Sequence, residues 1–406
     1  MATLRPRNRR STPAKHPFDM PKGLQVQLER AKANMAASFK GITTDGHVIP
    51  GLYALRQTGV SVQPIIDAAT AFLAALTPNE RATASFDVDS VEWRNWSNIH
   101  PYICRHGVCL DDLNDDQKSG ALALVRASLS AAGYETARTV MKLNEHIREI
   151  TRCDADYSEW YYWMSVFGAP SAAEPWGWQI DGHHLIVNCF VLADQIVMTP
   201  TFMGSEPVAA EFGKYAGTRV FHAEESKGFA LMSALTPAQQ QKARIGMELP
   251  LDVFTSAFRD NAEMKSEGIP FDELSNEQQG LLVSLIETYI GRIRPGHAEI
   301  KLEEVMEHLP ETSFAWVGRC DEVNPFYYRV YSPVLLIEFD HQRGIALDND
   351  EPSRHHIHTV IRTPNGNDYG KDLLRQHYEQ CDHSHPYTPH RLGKISCPES
   401  ASTSAH

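Results

Sequence analysis

The sequence predicts an α+β protein of two similar halves, each a set of helices followed by a short antiparallel β-rich segment. Three observations carry this expectation. A helix-start signal occurs four times, as two pairs. Leu76-Thr77-Pro78-Asn79-Glu80 and Leu113-Asn114-Asp115-Asp116-Gln117 lie 37 residues apart, and Leu235-Thr236-Pro237-Ala238-Gln239 and Leu274-Ser275-Asn276-Glu277-Gln278 lie 39 apart. Each signal offers a capping side chain followed three residues later by Glu or Gln, the two parts of a capping box. After each pair comes an aromatic, β-rich run broken by Gly and Pro, as hairpin loops would break it. The nearly equal spacing points to an internal duplication.

The elements follow in order. Residues 1–22 are basic and read as a loose tail, with no apolar stretch that would make them a secretory signal. The N-terminal half is expected over 23–205. Its helices are residues 23–39, residues 62–76 with Ile65, Ala69, Phe72 and Leu76 on one face, and the two capped ones. The second capped helix should run on through Leu122, Val125 and Leu129 to Gly133. Strands follow in Tyr161–Gly168, Trp176–Leu185 and Leu185–Val191. The C-terminal half is expected over 206–385, with strands in Ser313–Gly318, Pro325–Tyr331 and Val334–Asp340 and a late helix over Asp372–Tyr378. Residues 386–406 read as a second loose tail.

Composition bounds the partners. With 38 basic and 51 acidic residues the formal net charge is −13, which gives nucleic acid no general attraction. No apolar run approaches the roughly 18 residues that span a membrane. Seven cysteines, with no CxxC pair, suit a reduced cytoplasmic protein, and Cys104 and Cys109 read as ordinary thiols. Phosphate-loop, dinucleotide, serine-elbow and HExxH signatures are missing.

The chemistry gathers in histidines. The chain has 19, and two clusters stand out: Gly182-His183-His184-Leu185, and His355-His356-Ile357-His358. Read as strand, His184 shares a face with Ile186 and Asn188, while His183 faces the other way, so one of the two serves a site. His356 and His358 share a face with Val360 and Arg362; a His-x-His on a strand can converge on one ion. Glu338 and Asp340 share a face of the apolar run Val334–Asp340. A carboxylate there needs a partner or a metal unless it faces solvent on an edge strand. Arg362 either holds an anionic substrate group or pairs with Asp368 or Asp372. Trp176 and Trp178 share a face and either wall a pocket or pack between layers. His383 and His385, near Cys381, read as exposed.

The order of these motifs resembles a family. Trp176–Leu185, Thr199–Gly204, Tyr327-Tyr328-Arg329, Ile337–Asp340, His356–His358 and Asp368-Tyr369-Gly370 together resemble a widespread bacterial and fungal family known only as domain of unknown function three thousand five hundred. The resemblance covers residues 60 to 385. It implies that Gly-His-His and His-x-His are the characteristic polar positions, and it implies no activity.

The leading expectation is a metal-dependent enzyme acting on a small molecule at the junction of the halves, with water-activating hydrolysis first. His183 or His184, with His356 and His358, would hold zinc. Glu338 or Asp340 would be the general base, and Arg362 would hold the substrate. Iron with two histidines and one carboxylate would instead suit an oxygenase. A metal-free acid–base lyase, isomerase or cyclase is the next alternative. The last is a non-enzymatic binding protein with structural histidines. Oligomeric state is left open.

Overall fold

The computed structural model describes residues 5–6, 22–98 and 105–380. The expected tails therefore lie almost wholly outside the described residues, as do Cys104, His383 and His385. The protein is a mixed α/β structure with ten α-helices and one large mixed sheet among the described residues. The helices are α1 Lys22–Ala36, α2 Gln63–Ala75, α3 Pro78–Ala84, α4 Asp115–Ser128, α5 Ala131–Thr151, α6 His222–Ala234, α7 Pro237–Ala243, α8 Asn276–Ile290, α9 His297–Glu307 and α10 Lys371–Gln380. The strands are β1 Ser85–Phe86, β2 Val108–Cys109, β3 Tyr162–Phe167, β4 Trp176–Gly182, β5 Leu185–Leu192, β6 Gln195–Val197, β7 Thr201–Ser205, β8 Arg244–Gly246, β9 Ile269–Pro270, β10 Ser313–Gly318, β11 Phe326–Tyr331, β12 Leu336–Arg343 and β13 Pro352–Arg362. No helix among them is long and apolar enough to cross a membrane.

All four capping boxes form, at Thr77, Asn114, Thr236 and Ser275. The glutamines that complete two of them also tie neighbouring helices together. Gln117 Nε2 donates to the Ala75 carbonyl and to Glu80, and Gln278 Nε2 donates to the Ala234 carbonyl and to Gln239. The fourth-turn expectation for α4 differs. The chain stops at Leu129 and restarts at Ser130, whose hydroxyl caps Gly133 of the 21-residue α5. Gly133, in the first turn of α5, meets the Arg292 carbonyl in the turn after α8, which a Cβ would approach to 2.2 Å, so this position opens a helix where the sequence suggests an end.

The sheet order is β1-β3-β4-β5-β7-β13-β12-β11-β10-β8, with β2, β6 and β9 paired outside this path. The β7–β13 ladder joins the strands that precede residue 206 to those that follow it. It pairs Phe202 with Val360 and Gly204 with His358. The two faces differ in chemistry. Trp178, Cys189, Met203, Thr359, Phe339 and Tyr328 share one face by register. Helices cover it: Trp178 Nε1 donates to Ser128 of α4, and the Tyr328 hydroxyl contacts Tyr289 of α8 and donates to the Glu224 carbonyl of α6. Trp176 and Trp178 therefore pack toward helices, not into a pocket. The opposite face carries Asp181, Phe202, His358, Glu338 and Asp340. Connecting segments cover it, with Trp96 against Phe202 and Thr255 against Glu338.

A buried ionic network fastens this cover. Asp260 accepts from Arg94 on one oxygen, at 2.8 Å, and from Arg362 on the other, at 2.7 Å. Arg94 also donates to the carbonyls of Asn34, Met35 and Ala37, which draws the end of α1 into the network. Removing the shared anion leaves two buried guanidinium groups short of a partner. Asp260→Ala is therefore expected to cost about 3–5 kcal/mol, read by denaturant unfolding.

Candidate metal centre

His183 and His184 are not strand residues. The strands β4 and β5 pair to their ends at Gly182 and Leu185, so the two histidines form the hairpin turn. Strand alternation does not apply to them. His184 takes the left-handed backbone with φ 63°, a conformation that costs a non-glycine residue about 1–3 kcal/mol and is retained where the surroundings enforce it. Two backbone bonds do so. The His184 N–H donates to the Asn98 carbonyl, and its own carbonyl accepts from Gly204 on β7.

That turn brings His184 against the His-x-His of β13. The three Nε2 atoms form a near-equilateral triangle: 3.1 Å between His184 and His358, 3.2 Å between His184 and His356, and 3.0 Å between His356 and His358. The residues are 5%, 2% and 5% exposed. This buried triad could hold a metal ion, and it is the only such cluster of three or more His, Cys, Asp or Glu among the described residues. Around an ion with bonds of about 2.0–2.1 Å, nitrogens sit about 3.0 Å apart in facial octahedral geometry and about 3.4 Å apart in tetrahedral geometry. The triangle lies between the two.

Second partners fix the rings. His356 Nδ1 donates to the Arg343 carbonyl at 2.7 Å, and His358 Nδ1 lies 2.8 Å from Asp252 Oδ1. A carbonyl only accepts, so the His356 proton is on Nδ1 and its Nε2 lone pair points into the triangle. Burial pushes His356 down to about 4, so the ring is neutral at pH 7. Burial first, then the neighbouring imidazoles, also holds His184 well below the usual range. Glu206 lies 3.7 Å from His356 and accepts from the amides of Ile345, Ala346 and Leu347, which shapes the turn after β12.

The remaining expected site residues fall outside the triangle. His183 stacks on His184 with ring centroids 3.9 Å apart and bonds Asn144 of α5 at 2.8 Å. Glu338 and Asp340 lie on an interior strand and are fully buried, so the exposed-edge alternative does not hold. Glu338 accepts from Phe254 N, Thr255 N, the Thr255 hydroxyl and the Tyr327 hydroxyl. It anchors the segment that carries Asp252 to His358. Asp340 pairs across from His358, and burial, with Asp252 and Glu338 nearby, pushes its carboxyl well above the usual range. Arg362 is spent. Its five N–H groups reach Asp260, Asp368 and the carbonyls of Thr255 and Ser256, and Trp96 lies 5.4 Å from it. No donor is left to clamp an anionic substrate; Asp372 bonds Arg375 instead.

Asp252 and Glu206 carry no local signal in the sequence. Asp252 sits in a loop 106 residues before its partner. The only sequence hint at Gly204 is the motif Thr-Pro-Thr-Phe-Met-Gly that contains it.

A family model described as "Protein of unknown function (DUF3500)" matches residues 58–371. The chain belongs to the DUF3500 family. No curated protein and no solved structure matches this DUF3500 chain. All three triad histidines lie inside the matched region.

Two outcomes are expected. A Cβ on Gly204 would stand 2.8 Å from the Ile357 carbonyl, 2.9 Å from His358 Cδ2 and 3.1 Å from His184 Cδ2. Gly204→Ala is therefore expected to spread the triad and to lower the metal content of the purified protein relative to wild type, read by metal analysis. Asp252→Ala frees the His358 ring and is expected to weaken zinc about 10–100-fold in a chelator competition.

Proposed function

We propose that the protein is a three-histidine metalloenzyme acting on a small molecule by water-activated hydrolysis. One observation carries the metal reading. Three Nε2 atoms converge at 3.0–3.2 Å, and the other nitrogens of two of the rings, His356 and His358, are held by acceptors. Neutral imidazoles so placed repel one another unless a cation sits among them. Zinc fits this donor set best, because three neutral imidazoles leave an open position. Iron in an oxygenase calls for a carboxylate in place of one histidine, and neither Glu338 nor Asp340 is within the cluster. A zinc ion held by His184, His356 and His358 would activate water for hydrolysis. The chain's own part is to orient the rings, through Asp252 and the Arg343 carbonyl, and to exclude bulk water.

Burial favours a second reading. Ligands only 2–5% exposed also suit a closed ion that staples the β4–β5 turn to β13 without chemistry. The mirrored strand order and the matched Gln117 and Gln278 bonds support two similar halves, 23–205 and 206–385, meeting at that staple. The thiols of Cys109, Cys189 and Cys320, in no disulfide, accord with a reducing cytoplasm.

Protein purified without chelator is expected to carry about one zinc per chain, and His358→Ala to lose it. Less than about 0.2 metal per chain, with no gain on reconstitution, sinks the metal reading. Hydrolysis of p-nitrophenyl acetate that chelator abolishes and zinc restores supports the enzyme. Zinc-dependent Tm without turnover of such esters supports the staple.

A further inference from the structure

The wall beside the triad is acidic, and among the described residues none of its carboxylates forms an ion pair with a Lys or Arg. Asp340 lies opposite His358 on the same face of the sheet, where paired side chains stand about 5 Å apart. It is fully buried; Oδ2 accepts from Gln342, the His358 amide faces the carboxyl group, and Oδ1 makes no hydrogen bond of its own. A buried carboxylate oxygen left unpaired costs free energy that a ligand can recover. Asp252 stands close by, with Oδ1 on His358 and on its neighbour's amide, Val253 N. Its side chain is 31% exposed, which opens this wall to solvent. Glu338 and Glu206 add two more carboxylates whose acceptors are filled by neutral donors. Among the described residues no Lys or Arg forms an ion pair with Asp252, Asp340, Glu338 or Glu206; Arg329, across the ladder from Glu338, pairs with Glu267 instead. Arg362, the one guanidinium on this face of β13, is spent elsewhere.

We propose that this wall binds the protonated amine of a small-molecule ligand, between Asp340 Oδ1 and Asp252 and beside the triad. An ammonium brings three N–H donors and the missing positive charge. A second metal ion is a poorer occupant, because the carboxylate oxygens do not gather to ligand distance as the three imidazoles do. The segment that carries Asp252 also exposes Leu251 and Phe254, 83% and 38% accessible, and Phe254 sets its ring edge on Tyr327 at 5.4 Å. An apolar carbon skeleton on the amine has partners there. The position of the reacting end rests on the metal reading; the ammonium pocket rests on the carboxylates alone.

The test is calorimetric titration of the zinc-loaded full chain with benzylamine, and with benzoate and benzyl alcohol as anionic and neutral matches. Benzylamine is expected to bind and benzoate not to. Asp340→Asn is expected to weaken benzylamine at least about tenfold with zinc content unchanged. Asp252→Asn, which keeps an acceptor for His358, is read at saturating zinc and serves if the buried variant does not fold; it should weaken benzylamine as well. Benzoate binding as tightly as benzylamine, or wild-type benzylamine affinity in both variants, overturns the proposal. So does a second zinc per chain that Asp340→Asn abolishes. If the wild type holds no zinc, the metal reading falls, and the same series on the metal-free chain decides the amine pocket by itself.

Discussion

The β7–β13 ladder is the constraint on which the site depends. Five residue pairs join a strand from the middle of the chain, Thr201–Ser205, to one near its end, Pro352–Arg362. Their register puts Gly204 beside His358, and the Gly204 N–H then draws in the carbonyl of His184. A slip of one residue would turn His356 and His358 toward the helices and leave the triangle without two corners. Glycine at 204 is what lets two imidazoles share the space above that strand.

Around the ladder the sheet separates two kinds of chemistry. On the helix side, aromatic and aliphatic side chains close a continuous core. On the other side, polar and charged groups lie under connecting segments, and nearly all are matched. Arg362, Arg94, Asp260 and Asp368 neutralise one another, and Glu338 is filled by four donors. Against that background the convergent imidazoles stand out, as do a few unpartnered atoms, Gln179 Oε1, Asp181 Oδ2, Arg329 Nε and Asp340 Oδ1, of which Asp340 pairs across from His358. Buried polar groups left without partners are uncommon in folded proteins, and their closeness to one another gives them meaning.

Much of the outline was legible in the sequence. Helix starts depend on a cap and a residue three positions later, so Thr77, Asn114, Thr236 and Ser275 could be read locally. The His-x-His spacing worked for the same reason, since strand alternation is local. The run of α4 to Gly133 that the sequence suggests fails because Ser130 caps a new helix and its N–H is held by the distant Arg292 carbonyl, a contact no local pattern shows. His183 and His184 were misassigned to a strand because the hairpin turn uses a left-handed histidine where glycine or asparagine is usual.

By itself the sequence determined the family, the α+β composition and the histidines rich enough to make a centre. It could not decide which of those residues meet. His184 and His358 are 174 positions apart, and Asp252 reaches His358 across 106. Only strand register and loop docking set those approaches, and only tertiary structure assigned Arg362 and Glu338 to the framework. Their residue types fit catalysis as well as they fit a buried network; the difference lies in whether their donors and acceptors are already spent.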